Sequence, residues 1–456
     1  MKKTKVITKL IAIILSILVV VQVAPMSTFA ETIGTESEKF EESGYSTEVS
    51  QEEEDPIVIG EDVDRRDSSN TKYFKMSDGT IKAAVYKDPV LYQDSAGKWQ
   101  EIDNTLETSD NENDELSNFN GYATKSNKFR VKFAKNSNQK KLVSIKMGDY
   151  SVSLSLLNKT KKNNSSMKQE KKAKIEDLTA ASKSSQKIYY ENILPDTNIE
   201  YIVNGSGVKE NIVIKSAQSN YQYSDSVSYS ISSKNKKKYE ITVTADAEWI
   251  NSSDRTFPVT IDPAIQTEQS NTAMDSVYVA SGKPTTNYWH GPMIMVGKES
   301  SGIGKCQGLL RFDLPSLNRG DVVIDAELYA AQIKCDAYSN TTPDAAIEVH
   351  AVTSSWNKKT VTWNTKPSFE STTADFEILK AGGTQQETRK WNVTSIVKRW
   401  YENTLFPNYG FLFRSSIENG STYNLSCNYL WLYGEKYSQS TAGYPILSIT
   451  FRSNKG

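Results

Sequence analysis

Short runs in which apolar and polar residues alternate recur along most of the chain after residue 72, and this pattern limits the possible fold more than any other sequence feature. Phe129–Phe133 (FRVKF) and Tyr150–Leu154 (YSVSL) are two clear examples. Successive side chains of a strand point to opposite faces of a sheet, so each run directs its apolar residues to one face. Similar runs continue as far as Ile446–Phe451. The chain is therefore predicted to be all-β.

Residues 71–264 are predicted to form a first, β-rich domain. Asp78-Gly79 and Asn204-Gly205 each separate two alternating runs, and both dipeptides are favoured in tight hairpin turns. Residues 158–187 interrupt the strands with nine lysines and few apolar residues. This stretch is predicted to be a solvated loop or a short exposed helix, and a basic patch that touches anionic wall polymers is the alternative.

Residues 271–452 are predicted to form a second domain, a jelly-roll β-sandwich. Many short runs with turn residues between them are typical of sandwiches and jelly rolls. One helix is predicted within this domain, at Val393–Asn403, where Asn392 or Thr394 can cap it. Its apolar residues recur at helical spacing and share one face.

The first thirty residues have the composition of an export signal. Four lysines precede an apolar run of about fifteen residues from Leu10, and Thr28-Phe29-Ala30 supplies the small residues of a cleavage site. The apolar run is shorter than the roughly 20 residues that a bilayer core requires. The protein is therefore predicted to be secreted, extracellular or associated with the cell wall, with no membrane attachment after cleavage.

The segment that follows the signal is strongly acidic. Residues 31–67 contain fourteen acidic side chains and three basic ones. Such a segment buries too little apolar surface to offset the entropy of ordering, so residues 31–70 are predicted to be a disordered leader. The whole chain has a formal net charge of −1. This balance does not favour a nucleic-acid partner.

Histidine and cysteine are scarce, which limits the chemistry that the chain can support. Its two histidines are His290 and His350, and His350 is predicted to lie on the exposed face of a strand. With two histidines, the chain has few candidate residues for a Ser-His-Asp triad or for a multi-histidine metal centre. The three cysteines, whose disulfide state the sequence leaves open, are Cys306, Cys335 and Cys427.

No cofactor is predicted, apart from a possible structural calcium ion. Carboxylates bind this ion in many sandwich proteins. The candidate ligand is Asp275 at the start of a strand, and further carboxylates at Asp336, Asp344 and Glu348 follow in the sequence. Their spacing does not resemble that of a dense calcium-binding loop.

The second domain resembles the DNRLRE domain, a jelly-roll module related to a family of carbohydrate-binding modules. The resemblance rests on five blocks in the same order, which are Leu309–Pro315 (with Arg311, Phe312 and Asp313), Ile324–Leu328, Trp356–Asn364 (with Trp363), Trp391–Thr394 (followed by Trp400), and Gly410-Phe411. It implies that these motif residues are structural and that the module binds carbohydrate or packs against a neighbouring domain.

The first domain resembles the region that precedes DNRLRE modules in large wall-associated proteins of Gram-positive bacteria. The similar segments are Phe74 with Asp78-Gly79, Gly97–Trp99 with Ile102-Asp103, Gly207–Glu210 and Arg255–Pro263. Those proteins continue into RHS repeats and a C-terminal toxin, and neither follows in the present sequence. The resemblance therefore implies the attachment or delivery portion of such a protein.

Two groups of aromatic residues are candidates for stacking on sugar rings. Tyr288, Trp289 and His290 lie in a turn-rich segment with no strand pattern to bury them. Tyr429, Trp431 and Tyr433 alternate in one predicted strand and share a face, which is either a binding platform or part of the core. Trp356, Trp363, Trp391 and Trp400 are predicted to be core or packing residues.

The sequence thus predicts an exported, non-enzymatic surface protein that attaches to cell-wall or environmental polysaccharide. Its oligomeric state is left open. The first alternative is a delivery or spacer portion of an RHS-type polymorphic toxin. The second is a polysaccharide-degrading enzyme. A glycosidase would need a pair of carboxylates, and no pair stands out among the 55 acidic residues. A lyase would need a tyrosine or histidine base, for which His290 or His350 could serve.

Overall fold

The computed structural model describes most of the chain after residue 55, with some strands described by their backbone alone. The described residues are 20–23, 55–109, 119–148, 150–155, 165–169, 183–194, 196–216, 227–232, 238–243, 250, 252–253, 257–262, 264–266, 273–291, 293–299, 302–337, 345–379, 388–416, 418, 427–433 and 445–453. Strands dominate these residues, and the predicted all-β class is confirmed.

The strands of the N-terminal half are short. In chain order they are β1 (Val20–Val23), β2 (Val58–Glu61), β3 (Thr71–Met76), β4 (Ile81–Tyr86), β5 (Leu91–Gln93), β6 (Trp99–Glu101), β7 (Asp103–Ser109), β8 (Gly121–Ser126), β9 (Arg130–Ala134), β10 (Val143–Met147), β11 (Tyr150–Leu154), β12 (Met167–Gln169), β13 (Gln186–Leu194), β14 (Thr197–Val203), β15 (Gly207–Ile214), β16 (Val227–Ser232), β17 (Lys238–Val243), β18 (Val259–Asp262) and β19 (Ala264–Gln266).

The C-terminal half contains ten strands and the longest helix of the described residues. These elements are β20 (Met274–Ala280), β21 (Met293–Glu299), β22 (Gly304–Phe312), β23 (Val322–Ala337), β24 (Ala345–Ala351), β25 (Asp375–Leu379), β26 (Thr388–Asn392), the helix α1 (Thr394–Glu402), β27 (Phe411–Ser415), β28 (Cys427–Tyr433) and β29 (Ile446–Arg452). The helix agrees with the predicted one to within a residue at each end. Within the described part of the chain, no helix is long and apolar enough to cross a bilayer.

Residues 103–266 contain two larger sheets that share a core, together with the separate two-stranded pair β16-β17. One sheet has the order β11-β10-β9-β8-β7, and the other contains β18-β15-β14-β13-β12. Their shared core includes Val131 and Phe133 from the first sheet and Tyr190 and Tyr201 from the second. Tyr190 donates its hydroxyl hydrogen to the carbonyl oxygen of Ala134 at 2.6 Å, which satisfies a buried polar group between the sheets.

The C-terminal half packs two further layers of strands against each other. One layer has the order β20-β22-β27-β24-β25, and the other follows β4-β29-β23-β28-β21. The pairing of β21 with β22 joins the two layers into one continuous sheet. Leu310 and Phe413 of the first layer meet Val85, Leu328 and Leu447 of the second in one completely or nearly completely buried core. The two layers form a sandwich, and the jelly-roll connectivity stays a prediction.

Strands from the N-terminal half complete this sandwich. β4 pairs with β29 in antiparallel register from Ile81↔Phe451 to Tyr86↔Ile446, and β3 pairs with β4 in turn. Val85 lies in the sandwich core, and Tyr73 stacks edge-on against Phe451 at 6.5 Å. The division predicted at residues 264–271 did not anticipate this pairing, because an alternating pattern shows which face a strand buries but not which strand it joins.

Part of the predicted acidic leader is ordered, which corrects the expectation of disorder for residues 55–70. β2 lies there, and Arg65 reaches Asp321 at 3.4 Å and the hydroxyl of Ser453 at 2.9 Å. Glu61 accepts from Arg66 and from the buried Lys72. These ion pairs stabilise a segment whose amino-acid composition, taken alone, favours disorder. Residues 31–54 and most of the predicted signal lie outside the described residues.

Candidate functional site

The outer face of the β20-β22-β27-β24-β25 layer is covered in part by the connection between β24 and β25. This connection, residues 352–374, is called the strap. Its Trp356 and Val361 pack against Val277, Leu309 and Leu412 of the sheet. The strap returns to the sheet through hydrogen bonds from Glu370 N to Ala351 O and from Ala374 N to Val349 O, each at 2.9 Å. A second apolar layer therefore lies outside the sandwich.

Side-chain hydrogen bonds fix both ends of the strap. Arg399 of α1 donates two hydrogen bonds to the Glu370 carboxylate, at 2.9 and 2.6 Å. These hydrogen bonds lower the pKa of Glu370. At the other end, the Trp356 indole N–H donates to Tyr409 O at 2.7 Å. The strap is thus tied to the helix and to the start of β27.

Arg311 of the predicted motif holds the strap through Asp275. Its guanidinium pairs with one Asp275 oxygen and Lys358 of the strap reaches the other at 2.7 Å, while Arg311 also lies over the Trp356 ring at 5.3 Å. Burial raises the pKa of Asp275, but the hydrogen bonds and charges of Lys358 and Arg311 outweigh it and lower the pKa overall. Both carboxylate oxygens are thus already engaged by cations.

This pairing bears on the calcium prediction. A carboxylate neutralised by two cations is a weak ligand for a calcium ion. Within the described residues, no group of three histidine, cysteine, aspartate or glutamate side chains could hold a metal ion. Asp336 and Asp344, named as further carboxylates, lie where side chains are not described. The calcium site stays a prediction.

The predicted aromatic loop lies beside the strap. Asn287 donates to Lys358 O at 2.9 Å and to Val361 O at 2.7 Å, and its own carbonyl oxygen accepts from Trp289 N. The loop is therefore held in place without belonging to a strand. Tyr288 stacks on Tyr278 of β20 with ring centroids 4.3 Å apart.

Trp289 and His290 form the accessible part of this loop. Trp289 is partly exposed and packs against the apolar layer under the strap, while His290 is exposed. Their ring centroids are 4.5 Å apart, and the Lys359 ammonium lies 5.0 Å from the Trp289 ring centroid. Such a combination of aromatic surface and polar donors suits a ligand with apolar and hydroxyl-bearing faces.

Trp363, for which the sequence predicted a packing role, packs against the apolar layer under the strap and is at the same time a second partly exposed ring. It begins a short 3-10 helix in the strap, and the Lys366 ammonium lies 3.6 Å from its ring centroid. Lys366 also donates to Gln307 Oε1 at 2.8 Å. Burial lowers the pKa of Lys366. Trp289 and Trp363 border the same apolar layer, so the structure brings the loop and the strap together.

The remaining aromatic candidates have different positions. Tyr429, Trp431 and Tyr433 lie in β28, paired in register with Gly297, Met295 and Met293, and their side chains lie outside the described residues. Whether they form a platform stays a prediction.

The other motif residues belong to the sandwich or its margin. Phe312 and Trp391 are in the core, and the Trp391 N–H donates to Ile347 O at 3.0 Å. Trp400 of α1 packs on that core and against Phe411, with ring centroids 4.9 Å apart. Asp313 is exposed, and its backbone N–H donates to Ala273 O at 2.9 Å.

The prediction for His350 is wrong. It lies on the outer face of β24, as alternation indicates, but it is 1% exposed because the strap passes over it. Its Nδ1 lies 2.9 Å from Glu370 O, and its Nε2 lies 3.3 Å from Glu348 Oε2. His350 therefore joins the strap to the sheet.

Among the cysteines, the structure describes the side chain of Cys306. It is a buried thiol whose Sγ donates to Met295 Sδ at 3.5 Å, and it forms no disulfide. The side chains of Cys335 and Cys427 lie outside the described residues.

One set of residues beside the strap was not identified as a group from the sequence, which indicated only its Glu348, as a further carboxylate near the calcium candidate. Glu348, Arg414 and Gln307 lie next to one another on the outer face of three neighbouring strands. Glu418 follows β27, accepts from Gln307 Nε2 at 2.9 Å and lies 3.5 Å from Arg414 Nε. Burial raises the pKa of Glu418, although Arg414 opposes this shift. Only the three-dimensional pairing of the strands reveals this group.

Comparison with protein-family models indicates a functional class for the part of the chain that contains the strap. Residues 266–428 match the model of carbohydrate-binding module family 96. The matched range contains the aromatic loop, the strap and the polar residues beside it. The match supports a carbohydrate-binding role for this part of the chain.

The chain is also similar to wall-associated proteins of bacilli. It is 23% identical to the tRNA nuclease WapA of Bacillus subtilis (strain 168) and to the tRNA(Glu)-specific nuclease WapA of Bacillus subtilis subsp. natto (strain BEST195), over 85% of this chain and 18% of each relative. It is 25% identical to the Wall-associated protein of Geobacillus stearothermophilus, over 42% of this chain and 71% of that protein. The chain therefore spans about a fifth of the length of the Bacillus relatives.

Proposed function

We propose that the chain is an exported, wall-associated protein that attaches to cell-wall or environmental polysaccharide without a catalytic step. The observation that carries this proposal is that the range matching a carbohydrate-binding module contains Trp289 and Trp363, two partly exposed rings on adjoining connections. Aromatic rings stack on the apolar faces of sugars, while neighbouring polar groups orient their hydroxyls.

The proposed contact surface combines the aromatic loop with the strap. Tyr288, Trp289 and His290 form one side of it, and Trp363 forms the other. Lys359 and Lys366 add ammonium groups beside the two tryptophan rings. The row of Tyr429, Trp431 and Tyr433 is proposed as an additional platform. No protein partner is part of this proposal.

Toxin delivery and polysaccharide cleavage are not proposed. The delivery alternative draws on the Bacillus relatives, of which this chain covers 18%, and no described side chain favours it. Cleavage by a glycosidase would require a pair of accessible carboxylates on either side of a scissile bond. In the Glu348–Glu418 pair beside the strap, Glu418 is 3% exposed.

Native affinity electrophoresis tests the proposal. We expect residues 31–456 to be retarded in gels containing purified Gram-positive wall polysaccharide or a plant glucan. Trp363→Ala should weaken this retention about tenfold, the upper range for the loss of an aromatic contact. Trp99→Ala is the matched control, because Trp99 is also partly buried but packs against a separate cluster in the β5–β6 region. A wild-type chain that no polysaccharide retards would contradict the proposal.

A further inference from the structure

Four strands of the five-stranded sheet, β8–β11, lie in a strongly basic part of the chain. Residues 121–239 contain 23 basic and 9 acidic side chains, whereas the whole chain has a formal net charge of −1. Such an uneven distribution produces a local positive potential that attracts anions, whatever the total charge of the protein is. The polysaccharide contact proposed for the C-terminal sandwich makes no use of this region.

Two cations lie directly opposite each other on the outer face of this sheet. Val131 and Phe133 of β9 belong to the core, so Arg130, which alternates with them, lies on the outer face. The antiparallel register places Arg130 opposite Lys146 of β10. Directly opposite side chains are about 5 Å apart at their Cβ atoms, and like charges in this position are destabilising. Because this pair costs rather than adds folding stability, it is a candidate for binding an anion.

Two exposed lysines extend this pair. Ala123 of β8 is directly opposite Lys132 of β9 on the outer face. Lys125 follows Ala123 by two residues and therefore lies on the same face. Lys128 lies in the turn between β8 and β9, and both Lys125 and Lys128 are exposed. The four cations, which are together called the basic face, are Lys125, Lys128, Arg130 and Lys146.

An ion pair with Glu107 of β7 leaves the basic face accessible. A Glu107 oxygen lies 3.8 Å from a terminal nitrogen of Arg130, and the two side chains are 51% and 43% exposed. An ion pair at this exposure contributes about 0–1 kcal/mol to stability. A polyanion that contacts several of the four cations at once can therefore compete with Glu107 for Arg130.

More cations lie at the other end of the β9–β10 hairpin. Lys135 and Lys140 are exposed in the connection between the two strands. Burial and, to a smaller extent, the charge of Lys140 lower the pKa of the neighbouring Lys141. Lys135 follows Arg130 by five residues, a span of roughly 17 Å in an extended strand. One small anion cannot reach both ends of the hairpin, whereas successive charges along a polymer can.

The chemistry of the basic face indicates which polyanion fits. A phosphate group has acceptor oxygens on several sides, so ammonium and guanidinium groups of neighbouring strands can donate to it together. Among the described residues on the outer face of β8–β11, no aromatic ring offers a stacking surface for nucleic-acid bases. The similarity to a wall-associated protein favours a polymer of the cell wall. We propose that the basic face binds a flexible, phosphate-bearing wall polymer, as a contact separate from that of the sandwich.

Affinity electrophoresis in gels containing poly(glycerol phosphate) tests this proposal, with residues 31–456 as the protein and at low and high salt concentration. The double variant Arg130→Gln/Lys146→Gln should bind about three- to tenfold more weakly at low salt. Its binding should also depend less on salt, because fewer ionic contacts remain to be screened. The matched control is Lys98→Gln/Arg319→Gln, which removes the same charge from exposed positions outside the basic face and should bind nearly as the wild type does.

Thermal unfolding separates binding from folding in these variants. Arg130→Gln/Lys146→Gln removes a repulsion between opposite strands, so its midpoint of unfolding should equal or exceed that of the wild type. A second double variant, Lys125→Gln/Lys128→Gln, changes exposed side chains only and should weaken the binding to a similar extent.

Three results would overturn the proposal. The first is unchanged binding of poly(glycerol phosphate) by both variants of the basic face, and the second is equal weakening in the control. The third is tighter binding of a DNA duplex than of poly(glycerol phosphate), which would assign the basic face to nucleic acid. Laminarin carries no charge and tests the sandwich separately. A wild-type chain that laminarin and all other polysaccharides fail to retain, while poly(glycerol phosphate) still binds, would contradict the proposed function alone.

Discussion

A chain that begins at residue 272 is expected to lack a stable C-terminal sandwich, although it retains nearly all of the range that matches a carbohydrate-binding module. Its β29 would lose β4 as a partner over six paired residues. Its core would lose Val85, and Phe451 would lose contacts with Tyr73, Ile81 and Ala83. Each fully buried large side chain contributes about 1.5–3 kcal/mol, so the summed loss approaches the whole stability of a typical domain, about 5–15 kcal/mol.

Chemical denaturation followed by circular dichroism and tryptophan fluorescence measures this effect. The control is a chain that begins at residue 55, which retains β2–β4 and the Arg65–Asp321 ion pair. We expect a cooperative transition for the control and a weak or non-cooperative one for the shorter chain. A transition of equal midpoint and slope in both chains would show that the N-terminal strands are dispensable.

Trp391→Ala is expected to produce the largest loss of stability among single substitutions in the sandwich. Trp391 is 0% exposed and meets the Phe413 ring at 5.2 Å. Truncation of a buried tryptophan to alanine costs about 3–5 kcal/mol, because it leaves a cavity as well as removing buried surface. Here it also deprives the Ile347 carbonyl of the indole hydrogen bond.

Two further variants show which part of this loss arises from volume. Trp391→Phe retains most of the apolar contact but cannot donate to Ile347, so it should lose less stability than Trp391→Ala. Trp99→Ala removes a partly exposed tryptophan and should lose less still. A free energy of unfolding within about 1 kcal/mol of the wild-type value for Trp391→Ala would be incompatible with the described core.

Alternation of apolar and polar residues predicted the strands because it depends only on local geometry. The helix α1 was predicted for the same reason, from the spacing between Ile396, Val397 and Trp400. Partner strands were not predictable in this way. β4 and β29 lie at opposite ends of the sequence, and nothing in either run specifies the other. His350 shows the same limit. The sequence predicted which face of β24 it lies on, but not that the strap covers that face.

The two parts of the candidate site differ in how far the sequence indicates them. The aromatic loop was identifiable, since Tyr288, Trp289 and His290 are adjacent and no strand pattern buries them. The group of polar residues beside the strap was not, because its members come from separate strands. Gln307 and Glu418 are 111 positions apart in the sequence and 2.9 Å apart in space. In the sequence, one polar residue in each strand cannot be told apart from the polar residues that exposed strand faces normally carry.

Hydrogen–deuterium exchange with and without a retained polysaccharide that carries no phosphate tests the central claim most directly, because it reports where the glycan binds. Bound sugar slows local opening of the backbone that it contacts. We expect slower exchange in the aromatic loop at 283–291, in the strap, and in β24 and β25, with residues 103–262 unchanged. Slower exchange confined to residues 103–262 would contradict carbohydrate binding by the C-terminal sandwich.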